Sequence, residues 1–259
     1  MIISITSHKG GTGKTITSLN LGAALQRMGK KVMLIDLDAQ CNLSTALGLD
    51  PKSDKTIGKF LLGELSAKEV IRQFTDGLSI IPAAYTLISS EKQLATEIGQ
   101  ESFLKRALEP LRKEYDFILI DCPPSLGTLT TNALVAADRY IVPMSAETFS
   151  YDSLGHLMQA TTIVRDRVNS SLQLLGILFT RHSFNARTMI GQSIEKGVRE
   201  KYPTFQTTIR NNVALIESVF RRQHVYAYDP DSPGAEDYMR LAQEVINETK
   251  TNNNGKAKK

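Results

Sequence analysis

Residues 2–7 form a short apolar, β-branched run, and directly after it stands HKGGTGKT, His8 to Thr15, followed by a stretch of helical period. That order turns a glycine-rich string into a phosphate site. Gly10, Gly11 and Gly13 let the backbone close on an anion, the N–H groups around Thr12 point inward, and the start of a helix adds partial positive charge. Lys14 is placed to neutralise the β- and γ-phosphates of a nucleotide, and the Thr15 hydroxyl to ligate Mg²⁺. A plain glycine turn between strand and helix has no need of GKT. The ordinary GxxxxGK[ST] pattern asks for glycine where this chain has His8, and Lys9 opens the loop instead. A second cation on phosphates already served by Lys14 wants another anion, which points outward to a nucleotide in a facing subunit. The expected nucleotide-binding segment is therefore Lys9, Gly10, Gly11, Thr12, Gly13, Lys14, Thr15 and Ile16.

Two further apolar runs end in acids. LIDLD delivers Asp36 and then Asp38 to the carboxyl edge of a sheet, where ligands of open α/β sheets bind. Carboxylates there hold Mg²⁺ through water or orient an attacking water, although either could instead cap the next helix. FILID ends in Asp121, expected at the Mg²⁺ shell, so the metal set is Thr15, Asp121 and Asp38. Pro123 and Pro124 stiffen the exit and Gly127 frees it, which suits either a loop that responds to the γ-phosphate or a rigid turn.

Elements that could position these residues are visible in the alternation of short apolar runs with helical stretches. Strands are expected at residues 2–7, 32–36, 78–82, 117–121, 140–144 and 174–180, with a shorter one at 225–228. Helices are expected at 91–111, 150–168, 187–201 and 235–246. The first helix carries Ile16, Leu19, Ala23 and Met28 on one face, with Gly29 at its C-cap. Among 259 residues, 41% are hydrophobic and 22% charged, enough for one sizeable core. No repeat or linker interrupts the chain, so one α/β domain is expected over residues 1–248 and a disordered basic tail over 249–259. Only Cys41 and Cys122 are present, with no CxxC or His-rich partner, which argues against a disulfide framework, a zinc finger or a metallocluster. No apolar run reaches the length of a membrane helix and no leader pattern opens the chain, so the cytoplasm is the expected compartment. The formal charge is +4, and four lysines lie in the tail, leaving 27 basic and 27 acidic residues elsewhere.

The extra Lys9 gives the loop a resemblance to the deviant Walker A ATPases, and other strings narrow it. VMLIDLDAQCNLSTALG resembles the DxDPQGN segment of the ParA family, and YDFILIDCPPSLGTLTTNAL resembles its Walker B and switch II. IRNNVALIES and YDPDSPGAEDYMRLAQEV resemble its closing strand and helix. The similarity runs from Met1 to about Glu248. It implies a single-domain P-loop NTPase with a mostly parallel twisted sheet flanked by helices on both faces. It implies catalytic roles for Lys9, Lys14 and Asp38, with Asp38 as the switch I residue and Asp36 structural. It further implies ATP and Mg²⁺ as ligands and a homodimer when ATP is bound. Non-specific DNA binding at the nucleoid and a ParB-like centromere-binding protein or cargo adaptor that stimulates hydrolysis complete the scheme. The first strand begins at once, so an N-terminal helix-turn-helix and autorepression are not expected.

Departures from the family pattern are Ile16 for a second threonine, Ala39 and Cys41 for Pro and Gly, Arg210 for Pro, and Arg221 with Arg222 in a more neutral stretch. Residues 181–222 hold eight basic and three acidic residues, so DNA contacts are expected from Arg181, Arg187, Arg210, Arg221 and Arg222, unless these merely solvate a mixed-charge surface. The adenine is expected near residues 180–181 and 207–212. One alternative is a MinD-like membrane-surface ATPase, but TKTNNNGKAKK lacks the apolar helix face this needs. Another is a ParA-type positioner of a protein cargo.

Overall fold

A computed structural model describes residues 1–145, 151–180 and 188–256. Among them, seven strands form one sheet: β1 (Ile2–Ile5), β2 (Val32–Asp36), β3 (Arg72–Thr75), β4 (Leu78–Ile81), β5 (Phe117–Asp121), β6 (Arg139–Met144) and β7 (Gln173–Phe179). Their order across the sheet is β3-β4-β2-β5-β1-β6-β7. Every pairing is parallel except β3 with β4. Strands β1, β2 and β5 are buried along their whole length, which is why they read as continuous apolar runs rather than alternating ones.

The helices are α1 (Lys14–Arg27), α2 (Asn42–Ala46), α3 (Ile57–Leu61), α4 (Ala67–Val70), α5 (Leu87–Leu94), α6 (Phe103–Leu108), α7 (Thr128–Ala136), α8 (Tyr151–Arg167), α9 (Met189–Lys201), α10 (Val213–Phe220), α11 (Val225–Tyr228) and α12 (Pro233–Lys256). They cover both faces. Ile3, Leu34 and Leu119 pack with Leu21 and Leu25 of α1 and Tyr238 and Leu241 of α12. On the opposite face Ile2, Ile35 and Ile120 pack with residues of α3, α5, α6, α7 and α8. A Cβ on Gly22 would stand 2.7 Å from Leu34 Cδ2, so the bare glycine is what lets α1 lie close on β2.

Three expectations are corrected. Residues 225–228 are the helix α11, not a strand: the His224 ring nitrogen accepts from Ala227 N and caps it, which overrides the β preference of VYAY. The expected helix at 91–111 is two, α5 and α6, parted by a left-handed Gly99 and a 3₁₀ turn at Gln100–Ser102. The antiparallel β3 is an addition, since RQFT is too short and polar to announce a strand. The described part of α12 extends to Lys256, into the stretch expected to be a disordered tail.

Packing of α7 against the sheet depends on buried Asn169, whose amide donates to Leu134 O at 3.0 Å, Val135 O at 3.1 Å and Ala137 O at 2.8 Å. Asn169→Ala strands these buried carbonyls and is expected to cost about 1–3 kcal/mol, read by calorimetry as a fall of about 2–4 °C in Tm per kcal/mol.

Candidate nucleotide site

All of the candidate chemistry collects where the parallel strands end. Gly13 sits in the left-handed region at φ 84° and opens α1, so the loop turns sharply into the helix. The Ser7 hydroxyl donates to Lys9 O at 3.0 Å and shares a 2.8 Å hydrogen bond with Thr12. Thr180, at the end of β7, donates to Thr12 O at 2.9 Å. These contacts hold the loop from both sides of the sheet. Lys14 turns inward, 8% exposed, and its ammonium donates to Lys9 O at 3.2 Å. Lys9, Gly10 and Gly11 are exposed.

Parallel register places Asp36 opposite Asp121 on neighbouring strands, and both are buried. Asp36 accepts from Ser44 N at 2.8 Å, Ser44 Oγ at 2.7 Å and Asp38 N at 3.2 Å. It therefore fixes the turn into α2, a structural role. Asp121 accepts from Thr15 Oγ1 at 2.7 Å and Ser18 Oγ at 3.0 Å. Burial is the main force pushing the Asp121 carboxyl up to about 7, and the Asp36 charge adds to it against the opposing hydrogen bonds and Lys14. Burial likewise lifts Asp36 to about 6. It pushes the Lys14 ammonium down, with Asp121 resisting. Asp38, one turn past this pair, is half-buried and accepts from Gln40 N at 3.0 Å.

A pocket beside the loop has Gly13, Ile16 and Thr180 on one side and Ile209, Leu215 and Tyr238 on another. Ile16, which stands in for a threonine in the family pattern, gives this pocket an apolar wall. Asn212 Oδ1 is buried there with no partner among the described residues, and a buried acceptor left open is suited to the amino group of a purine. The segment before it is held by α12: Glu244 accepts from Gln206 N at 2.9 Å and Thr207 N at 2.7 Å, and Asp237 accepts from Arg210 N at 2.9 Å.

Thr15, Asp121 and Lys14 are thus brought together with the loop backbone, and Asp38 stands at the same sheet edge. The structure separates the basic set. Arg210 is bound to Asp237 and Glu236, both at 2.7 Å, so its charge is spent within the fold beside the pocket. It was expected among the DNA contacts, and its guanidinium faces these two acids. Arg221 and Arg222 are exposed, while Arg181 and Arg187 lie outside the described residues. Sequence reading missed Ser18, Ser44 and Tyr238, while Asn212 closes the segment expected near the adenine; Ser18 was findable as the residue one helical turn after Lys14.

A family model described as an AAA domain matches residues 1–174. The sporulation initiation inhibitor protein Soj of Bacillus subtilis is 39% identical over 250 residues, covering 94% of this chain and 97% of that protein. The chain belongs to the Soj/ParA family of partitioning ATPases. Solved structures similar to this Soj/ParA chain include cobyrinic acid a,c-diamide synthase from Mycobacterium smegmatis with bound ATP analog and magnesium. That structure has a TM-score of 0.84 and 31% identity, covering 97% of this chain and 96% of that one. The Pyrococcus furiosus cell division ATPase MinD has a TM-score of 0.78 and 27% identity, covering 95% and 98%.

ATP and Mg²⁺ fit the residues of this family member. Among the described residues no three His, Cys, Asp or Glu side chains cluster as a metal cage. Mg²⁺ needs none, because it takes one or two protein oxygens, which Thr15 and Asp121 would supply, and keeps phosphates and waters as its other ligands. Bound Mg²⁺ supplies charge neutralisation across the β- and γ-phosphates. The protein's part is to aim loop N–H groups and the Lys14 ammonium, a buried cation that an anionic ligand would complete.

Asp121 binds its proton more tightly folded, at about 7, than at its ordinary 3.8, so its contribution to nucleotide-free stability is fullest at low pH and fades as pH rises through about 7. Asp121→Asn stays neutral. At about pH 8 without nucleotide it is expected to melt a few degrees above wild type, the gap closing toward about pH 5, while Mg²⁺-dependent ATP turnover is lost.

Proposed function

We propose that this chain works as a ParA-type switch: ATP and Mg²⁺ bring two copies face to face, the dimer holds DNA without sequence preference, and a ParB-like partner speeds hydrolysis and so releases it. The observation that supports this most is the pair of lysines in one loop. Lys14 is turned in toward Asp121 and serves the phosphates of its own subunit, whereas Lys9 is exposed on the same loop. Lys9 reaches the nucleotide of the facing subunit and neutralises charge that develops on the γ-phosphate, with Thr15 and Asp121 at the metal and Asp38 orienting the attacking water. Non-specific DNA is held by phosphate contacts, for which Arg221 and Arg222 are available. In this reading the protein is cytoplasmic, associates with the nucleoid, and moves plasmid or chromosome DNA.

The direct test is retention on DNA with ATP, with ADP and with no nucleotide, where only ATP should give binding. Lys9→Ala is expected to keep ATP affinity within about threefold while staying monomeric by light scattering with ATP, since its partner lies in the other subunit. A persistent Lys9→Ala dimer removes the cross-subunit role. Asp38→Ala is expected to lower turnover by about a hundredfold or more while the ATP dimer stays on DNA. Unchanged turnover assigns the water to another group.

A further inference from the structure

Helix α10 ends in a corner made by Phe220, Arg221 and Arg222. Phe220 is 82% exposed, and both arginines are exposed. Elsewhere in the basic stretch Arg199 is paired with Glu195 and Arg210 with Asp237, but Arg221 and Arg222 form no salt bridge among the described residues. Arg222 takes a left-handed backbone at φ 58°, which bulky residues seldom adopt. Its stem lies over the bend after α2: a Cβ on Gly48 would be 3.5 Å from Arg222 Cδ. The corner is therefore fixed in direction, with two unpaired guanidiniums beside a ring turned to water.

Phosphate neutralisation explains the arginines but not the phenylalanine. Val213, Ile216 and Phe220 recur at i, i+3 and i+7, so they share one face of α10, at 65%, 49% and 82% exposure. Ile216 borders the nucleotide pocket, and Phe220 stands at the other end, against the arginines. Proteins that grip DNA by its backbone and shape commonly set an apolar side chain among basic ones, the ring packing on sugars or wedging at a base step while the cations hold flanking phosphates. We propose that the Phe220–Arg222 corner is a contact to duplex DNA in which Phe220 supplies an apolar, salt-independent share of the binding. It rests on the DNA-binding reading above and gives that surface its chemistry.

The full chain with ATP and Mg²⁺ would be titrated against a fluorescent duplex by anisotropy at several salt concentrations between about 50 and 200 mM. Phe220→Ala is expected to weaken binding about tenfold at every salt with the slope of log K against log salt unchanged, and Phe220→Tyr to restore it. Arg221→Ala is expected to make that slope shallower by about 0.9. Basal ATP turnover and Tm should be unchanged in Phe220→Ala, since the side chain is exposed. If Phe220→Ala binds DNA as wild type does, this inference falls and the DNA reading stands. If wild type with ATP binds no DNA, both fall. Recruitment to anionic phospholipid vesicles that Phe220→Ala abolishes, with DNA binding untouched, makes the corner a lipid contact and likewise overturns the proposal.

Discussion

Two carboxylates, Asp36 and Asp121, lie side by side at the ends of adjacent buried strands, and the rest of the site is arranged around that repulsion. Charges in such surroundings cost several kcal/mol unless partnered. The partners differ in kind. Asp36 is held by Ser44, whose hydroxyl also accepts from Ala83 N, and by the backbone of Asp38, none of them a group on the phosphate loop. Asp121 is held by Thr15, Ser18 and the nearby Lys14, and two of these are the groups that a metal and a phosphate chain would claim. The resting site therefore sets two buried acids side by side with Thr15, Ser18 and Lys14 as the groups that offset Asp121, and a bound Mg²⁺ would add the positive charge that the pair lacks.

The last helix is joined to α1, the helix into which the phosphate loop opens. Tyr238 OH shares a 3.2 Å hydrogen bond with Thr17 on α1, and Glu244 and Asp237 secure the segment that walls the base pocket. A change at the phosphates thus meets α12 through one contact and the pocket through two more. Helix α10 begins in that pocket at Asn212 and ends at the Phe220–Arg222 corner, so the same short rod spans the two surfaces.

The central strands and the phosphate loop were legible because their signals are local: a buried parallel strand must be apolar throughout, and GKT after such a strand has few other uses. Asp36 and Asp121 share the same place at strand ends, so the structural reading of Asp36 came from the resemblance, and its bonds to Ser44 and Asp38 appear only in the fold. The ion pairs of Arg210 were not legible because charge in a sequence carries no record of its partner, and the two acids that bind it lie more than twenty residues away. Residues 225–228 were misread because β-branched and aromatic side chains suit a buried helix once a cap and a surrounding core supply what propensity does not. Asn212 lay within the segment expected near the adenine, but only the fold shows its side-chain oxygen sealed in and without a partner among the described residues.

The margins of the sheet also limit how molecules of this kind can gather. On one side the last strand is four residues long, runs against its neighbour and is irregular in register between Gln73 and Thr75. On the other, β7 is flanked by the chain itself, with Ile177 N bonded to Pro203 O and Ile209 N to Phe179 O. Neither border offers a clean row of unsatisfied amides, so fibre growth by strand addition is discouraged at both. With both margins closed to pairing, the end of the sheet where the nucleotide loops lie is left open for the face-to-face dimer proposed above.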